Sequence, residues 1–145
     1  MEEFPHHYSV SARGGTEGDI SIESAGLPAL SAAPPAEFGG SGDRWSPETL
    51  LVASVANCFI LSFRATARAS QFTWLELNCD AEGVLDKVDA NSRFTKFTVR
   101  ASLRVPADSN EDRARRLLAM AKKNCLITNS MKADSHLEAE VIVAD

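Results

Sequence analysis

Residues 46–61 read SPETLLVASVANCFIL, and this stretch constrains the fold more than any other in the chain. Ser46 is a good helix N-cap, and Pro47 suits the first helical position, where its missing N–H is not needed. The helix is predicted to run from Pro47 to about Ser70. Its apolar residues occupy nearly the whole circumference as far as Phe63, after which Arg64 and Arg68 restore polar character. A helix apolar on most sides is covered on most sides. One cysteine, Cys58, stands in its middle, either as a quiet core residue or as a reactive thiol.

The flanking segments read as strands and one more helix. Tyr8–Ala12 and Ile20–Ser24 alternate apolar and polar residues around turn signals at Gly14-Gly15 and Glu17-Gly18-Asp19, which predicts a hairpin. Residues 26–45 are rich in Gly, Pro, Ala and Ser and read as a long ordered loop, a feature usually tied to function. Strands are predicted at Trp74–Leu85 and Arg93–Val105, joined by a turn at Asp89-Ala90-Asn91. The second strand carries Phe97, Val99, Ala101, Leu103 and Val105 on one face. Ser109 stands three residues before Asp112 in capping-box spacing, and Ala114, Leu117, Leu118 and Ala121 follow at helical spacing. Leu137, Ala139, Val141 and Val143 mark a last strand. The expectation is one α+β domain over residues 1–145: hairpin and loop 8–45, central helix 46–70, strands 74–105, second helix 109–125 and last strand 137–143.

Composition narrows the functional classes. The chain has 145 residues, 44% hydrophobic and 24% charged, with net charge −5. There is no basic stripe of the kind that grips nucleic acid; Arg113, Arg115, Arg116, Lys122 and Lys123 share their helix with Glu111 and Asp112, as a solvated face does. The acidic start MEEFPHHYSV lacks the regions of a signal peptide. The longest apolar run, Leu50–Phe63, is interrupted by Ser54, Asn57 and Ser62 and falls short of a membrane span. A cytoplasmic protein with no nucleic-acid or membrane partner is expected. The three cysteines, Cys58, Cys79 and Cys125, form no CxxC pair and are too few for a disulfide scaffold. His6, His7 and His136 have no spacing that specifies a metal, and GGSGDRW lacks the Lys-Ser/Thr of a phosphate loop.

Taken one at a time, the cysteines look structural. Cys79 follows Leu75 and Leu77 at a period of two, and Cys125 closes the second helix. Cys58 lies 12 residues beyond Ser46, roughly 18 Å along the axis, too far for the positive helix end to act on it. An apolar site alone would raise its pKa. Glu48 stands ten residues before Cys58, roughly 15 Å along a straight helix, and cannot serve the thiol of its own chain. Two copies of so apolar a helix crossing about a two-fold axis would bring Glu48 of one chain toward Cys58 of the other. The plainer reading of Glu48 is a first-turn acid favoured by the helix dipole.

The motifs SPETLLVASVANCF, LDKVDA and KNCLITNSMKA, taken together, resemble the OsmC/Ohr family of thiol-dependent organic hydroperoxide reductases, on the OsmC-like side. The resemblance runs from about Tyr8 to Val143. It implies an intertwined homodimer, with antiparallel sheets wrapped around long central helices and active sites at the interface. It implies that Cys58 is the peroxidatic cysteine, Cys125 the resolving cysteine, and Glu48 the carboxylate that orients an arginine beside the thiol. The family's arginine positions are occupied here by Thr16, after Gly14-Gly15, and by Glu37, before Phe38; Arg44 is the favoured substitute and Arg13 the alternative.

The implied chemistry is reduction of an organic hydroperoxide to an alcohol at a Cys58 thiolate, giving a sulfenic acid and then a Cys58–Cys125 disulfide. No bound cofactor is implied; an external dithiol, of dihydrolipoyl or other type, resets the pair. Leu51, Val55, Phe59 and Phe63 are candidates for an apolar substrate pocket. The alternative is a dimeric binding protein of the same fold, holding a hydrophobic small molecule, with non-catalytic or sensory cysteines.

Overall fold

The alternation in the N-terminal forty residues builds a small antiparallel sheet. The computed structural model describes residues 1–145 and divides into two units, Met1–Leu50 and Leu51–Asp145. In the first, β1 (Ser11–Arg13), β2 (Ile20–Glu23) and β3 (Leu30–Ala32) pair in that order. The registers Ala12↔Ile22↔Leu30 and Ile20↔Ala32 place the apolar side chains on one face. The stretch read as one loop therefore contains a third strand, and also a turn of 3-10 helix at Ala36–Phe38. Ala32 to Trp45 is a strand-like bridge, and the backbone N–H of Ala33 donates to the Trp45 carbonyl at 2.8 Å, which returns the chain to the helix start.

The long helix, α1 (Pro47–Ala69), begins as the sequence predicts. The Ser46 hydroxyl accepts from the Thr49 N–H at 3.1 Å, and the Thr49 hydroxyl accepts from the Ser46 N–H at 2.9 Å. This reciprocal arrangement satisfies two otherwise orphaned donors. Val55, Phe59, Phe63 and Ala67, spaced by four, form its buried stripe. An 18-residue window of α1 has mean hydropathy 1.6 and is apolar enough to cross a membrane by length and composition. The interruptions at Ser54, Asn57 and Ser62 do not lower that average enough to exclude it, against the sequence expectation. Here α1 packs as a core helix, yet only 28% of the window is buried, so much apolar surface remains uncovered.

Residues Leu51–Asp145 also hold the second sheet, with β4 (Glu76–Val88), β5 (Asn91–Val105) and β6 (Asp134–Val143) in that order. β4 and β5 form a hairpin whose two turn residues, Asp89 (φ 52°) and Ala90 (φ 69°), are both left-handed, as a tight twisted hairpin requires. β6 lies parallel to β5, Lys96↔Asp134 to Val105↔Val143. A parallel neighbour needs a crossover, supplied by α2 (Glu111–Lys123) and α3 (Leu126–Asn129). The cap of α2 is Asn110, whose side chain accepts from the Arg113 N–H at 3.0 Å. Ser109 instead closes the turn after Pro106, since its N–H donates to the Pro106 carbonyl.

The core lies between the inner sheet face and the helices. Phe97, Val99, Ala101, Leu103 and Val105 of β5 meet Val55, Phe59 and Phe63 of α1 and Leu117 and Leu118 of α2. Each large side chain withdrawn from water here contributes about 1.5–3 kcal/mol. Gly83 of β4 makes close helix–sheet packing possible: a Cβ there would stand 2.9 Å from Val52 Cγ2 and Phe94 Cε1, and 3.0 Å from Phe97 Cε1.

Candidate active site

Cys58 immediately precedes Phe59 of the buried stripe, so it lies about 100° around α1 from it, at the edge of the core. It is half-buried. The second helix does not run through to residue 125. α2 ends at Lys123, Asn124 caps it, and Cys125 is extended (φ −66°, ψ 111°) before α3 restarts the helical path. This break turns the first amides of α3 outward from their own backbone. The turn is pinned by Asn129 N–H to the Cys125 carbonyl (3.0 Å) and by Asn129 Nδ2 to the Lys123 carbonyl (2.9 Å).

The break brings the Ile127 N–H, the Cys125 thiol and the Leu126 N–H to the Cys58 sulfur, and α1 itself adds the Ser62 hydroxyl. Burial pushes the Cys58 pKa up, but these hydrogen bonds outweigh it, and the thiol ends below its ordinary value. The sequence argument considered only the apolar flanks, which would raise it. The correction comes from donors on a segment nearly seventy residues away in sequence. Cys125 is 2% exposed and stands within hydrogen-bonding reach of Cys58. Cys79, on β4, is half-buried; burial, then the Asp80 charge and then Cys125, push its thiol up to about 11.

Other candidate residues lie elsewhere. Val55, Phe59 and Phe63, expected to line a substrate pocket, are 0%, 1% and 0% exposed and are consumed by helix–sheet packing; Leu51 is half-buried at the edge of the same cluster. Their spacing of four marks the core-facing stripe. An apolar cavity of about 400 Å³ does exist in residues Met1–Leu50, walled by Ile20, Ile22, Ala32, Pro34, Phe38 and Glu48. Glu48 Oε2 is buried there without a hydrogen-bond partner. Arg44 is exposed, its Nε on Asp19 Oδ2 at 3.0 Å and its Nη1 on the Asp43 carbonyl at 3.2 Å. Arg13 is exposed on β1.

Sequence reading missed Ser62 and the Leu126 and Ile127 amides. Ser62 was within reach, standing four residues after Cys58 on the same helix face. The amides were not, because they depend on where α2 stops.

A sequence model described as OsmC-like protein matches residues 40–140. An uncharacterised Bacillus subtilis protein, YmaD, is 24% identical over 142 residues, covering 95% of both chains. The peroxiredoxin OsmC of Escherichia coli is 28% identical over 97 residues, 66% of each chain. Among solved structures, an OsmC-like protein of unknown function from Vibrio cholerae superimposes with a TM-score of 0.84 at 18% identity, covering 93% of this chain and 99% of that one. The mixed α+β architecture of two sheets and three helices is the one these structures share.

Proposed function

Since the chain belongs to the OsmC-like protein family, we propose that it is a thiol peroxidase that reduces organic hydroperoxides at Cys58. The observation that carries this reading is a half-exposed thiol with a depressed pKa and a second thiol within hydrogen-bonding reach. A depressed pKa gives the thiolate, which is the nucleophile. The name of the Escherichia coli relative points the same way.

The Cys58 thiolate attacks the terminal peroxide oxygen and the O–O bond breaks. The alkoxide leaves as alcohol after taking a proton, and Cys58 becomes a sulfenic acid. The Cys125 sulfur then attacks the Cys58 sulfur and expels the hydroxyl, which departs as water with the Cys125 proton, leaving a disulfide. An external dithiol is oxidised as it reduces that bond by exchange.

The working unit in this reading is a homodimer in the cytoplasm. The uncovered apolar surface of α1 and the orphaned Glu48 oxygen support it, because each needs a partner that the single chain does not supply. Glu48 of one protomer, roughly 15 Å along α1 from its own Cys58, meets the site of the other. Arg44, with Arg13 as alternative, brings a guanidinium that Glu48 orients and that polarises the peroxide.

Stopped-flow oxidation with cumene hydroperoxide tests the assignment: rapid consumption by the wild type, abolished in Cys58→Ser, is expected. Equal turnover in the mutant would sink it. The apolar cavity of about 400 Å³ favours a second reading, a holder of a hydrophobic small molecule. Intact mass after peroxide treatment separates the two: loss of two hydrogens indicates the peroxidase, and persistently free thiols indicate the holder.

A further inference from the structure

The hydroxyl groups of α1 show what a helix normally does with such side chains. Ser54 Oγ donates to the Leu51 carbonyl at 2.6 Å, Thr66 Oγ1 to the Ser62 carbonyl at 2.8 Å, and Thr49 Oγ1 to the Ser46 carbonyl at 3.1 Å. Each is spent on the backbone three or four residues back, the usual sink for Ser and Thr inside a helix. Ser62 is the remaining hydroxyl of α1, and it breaks this habit. Its Oγ makes no backbone bond and lies 3.9 Å from Cys58 Sγ. The spacing of four puts the two on the same face, one turn apart.

We propose that Ser62 is a side-chain hydroxyl donor that helps hold Cys58 as a thiolate, so that the reactive state is supported from within one protomer. The inference rests on the peroxidase reading. A thiolate has no proton to give, so once Cys58 ionises the Ser62 O–H can only donate and the sulfur only accept. A bond of this kind, to a charged acceptor, is stronger than one between neutral groups. The separation is at the long end for sulfur, as expected for a site at rest whose bonds tighten as charge develops. The sequence has no arginine at either family position, which gives a donor supplied by α1 itself a job to do. Thr66, bonded to the Ser62 carbonyl, anchors the turn that carries the hydroxyl. The net downward shift of the Cys58 pKa includes a contribution from this contact.

The test uses the full-length chain and reads Cys58 ionisation without peroxide. The rate of Cys58 alkylation by iodoacetamide is followed against pH in the wild type, Ser62→Ala, Ser62→Thr and Ser62→Val. Loss of one hydrogen bond to a charged sulfur should move the midpoint up by about one pH unit in Ala and Val. Thr should stay near the wild type. Thr and Val have the same shape, so a difference between them isolates the hydroxyl even if Ala perturbs folding. Cumene hydroperoxide consumption should fall about tenfold in Val at pH 6 and converge with the wild type at high pH. Superimposed Thr and Val alkylation profiles would overturn the proposal. A shifted profile in a protein inert to hydroperoxide would support Ser62 as the donor and defeat the peroxidase reading instead, so the two failures are distinguishable.

Discussion

The chain contains three thiols that should differ sharply in reactivity, and the contrast between Cys79 and the others can be put as a number. The perturbation is limited alkylation of the native protein with iodoacetamide at pH 8. Burial beside Asp80 and Cys125 raises the Cys79 thiol to about 11. At pH 8 a group with that pKa is ionised in roughly one molecule in a thousand, against roughly one in four for an ordinary thiol near 8.5. The ratio is about 250-fold in thiolate. Part of it is returned, because a more basic thiolate is more nucleophilic: with a Brønsted slope of about 0.45, a difference of roughly 2.5 pK units is worth about 13-fold. The product leaves Cys79 about 20-fold slower than an unperturbed cysteine, before counting its partial burial. Cys58 lies on the other side of that reference, below the ordinary value and half-exposed. Quenching with acid, digesting and weighing the peptides at intervals should place the first label on Cys58, with Cys79 trailing by more than 20-fold. Repeating the experiment in strong denaturant should erase the order. Equal labelling of Cys58 and Cys79 in the native protein would refute the reasoning, since the donors around Cys58 and the burial of Cys79 would then have no chemical consequence.

Gly83→Ala should lower stability by about 1–3 kcal/mol, because its Cβ collides with Val52, Phe94 and Phe97 at once; thermal unfolding followed by circular dichroism at fixed concentration checks it, and an unchanged midpoint contradicts it. Asn110→Ala should cost about 1 kcal/mol by removing the cap of α2, seen as a lower urea midpoint, whereas Ser109→Ala should be near neutral. Cys125→Ser should allow one oxidation and then stall, with the Cys58 sulfenic acid trapped by dimedone; a disulfide formed through Cys79 in that variant would count against the pairing.

Much of the scaffold was legible because its signals are local. Ser46-Pro47 starts a helix by its own chemistry, and the alternation from Phe97 to Val105 fits one face of a half-buried strand. Asp89 and Ala90 were readable as a turn, though not as a left-handed pair. The failures share a cause. β3 and the 3-10 turn lie in a stretch of Gly and Pro whose composition hides a short strand formed only through its partners. Asn110 displaced Ser109 because either can cap, and the choice depends on how Pro106 closes the preceding turn. Val55, Phe59 and Phe63 looked like a pocket and became core, since periodicity identifies a buried face without saying what covers it. The environment of Cys58 was the least legible. Apart from Ser62, its donors come from residues 125–127, and nothing in KNCLITNSMKA says that the helix stops at Lys123 and restarts at Leu126.

That restart leaves the two sulfurs unequally open to visitors. Cys125 is buried, and Cys58 is partly exposed. In the proposed cycle the two are joined as a disulfide, an incoming thiolate approaches in line with the S–S bond, and Cys58 is the more exposed sulfur for it to strike. Cys125 is then the leaving group, and the transient mixed disulfide hangs on the long helix. In that cycle the reducing thiol has to reach a sulfur that is only partly exposed, on the side of a long helix. Closing the proposed cycle then depends on access to Cys58 as well as on redox potential.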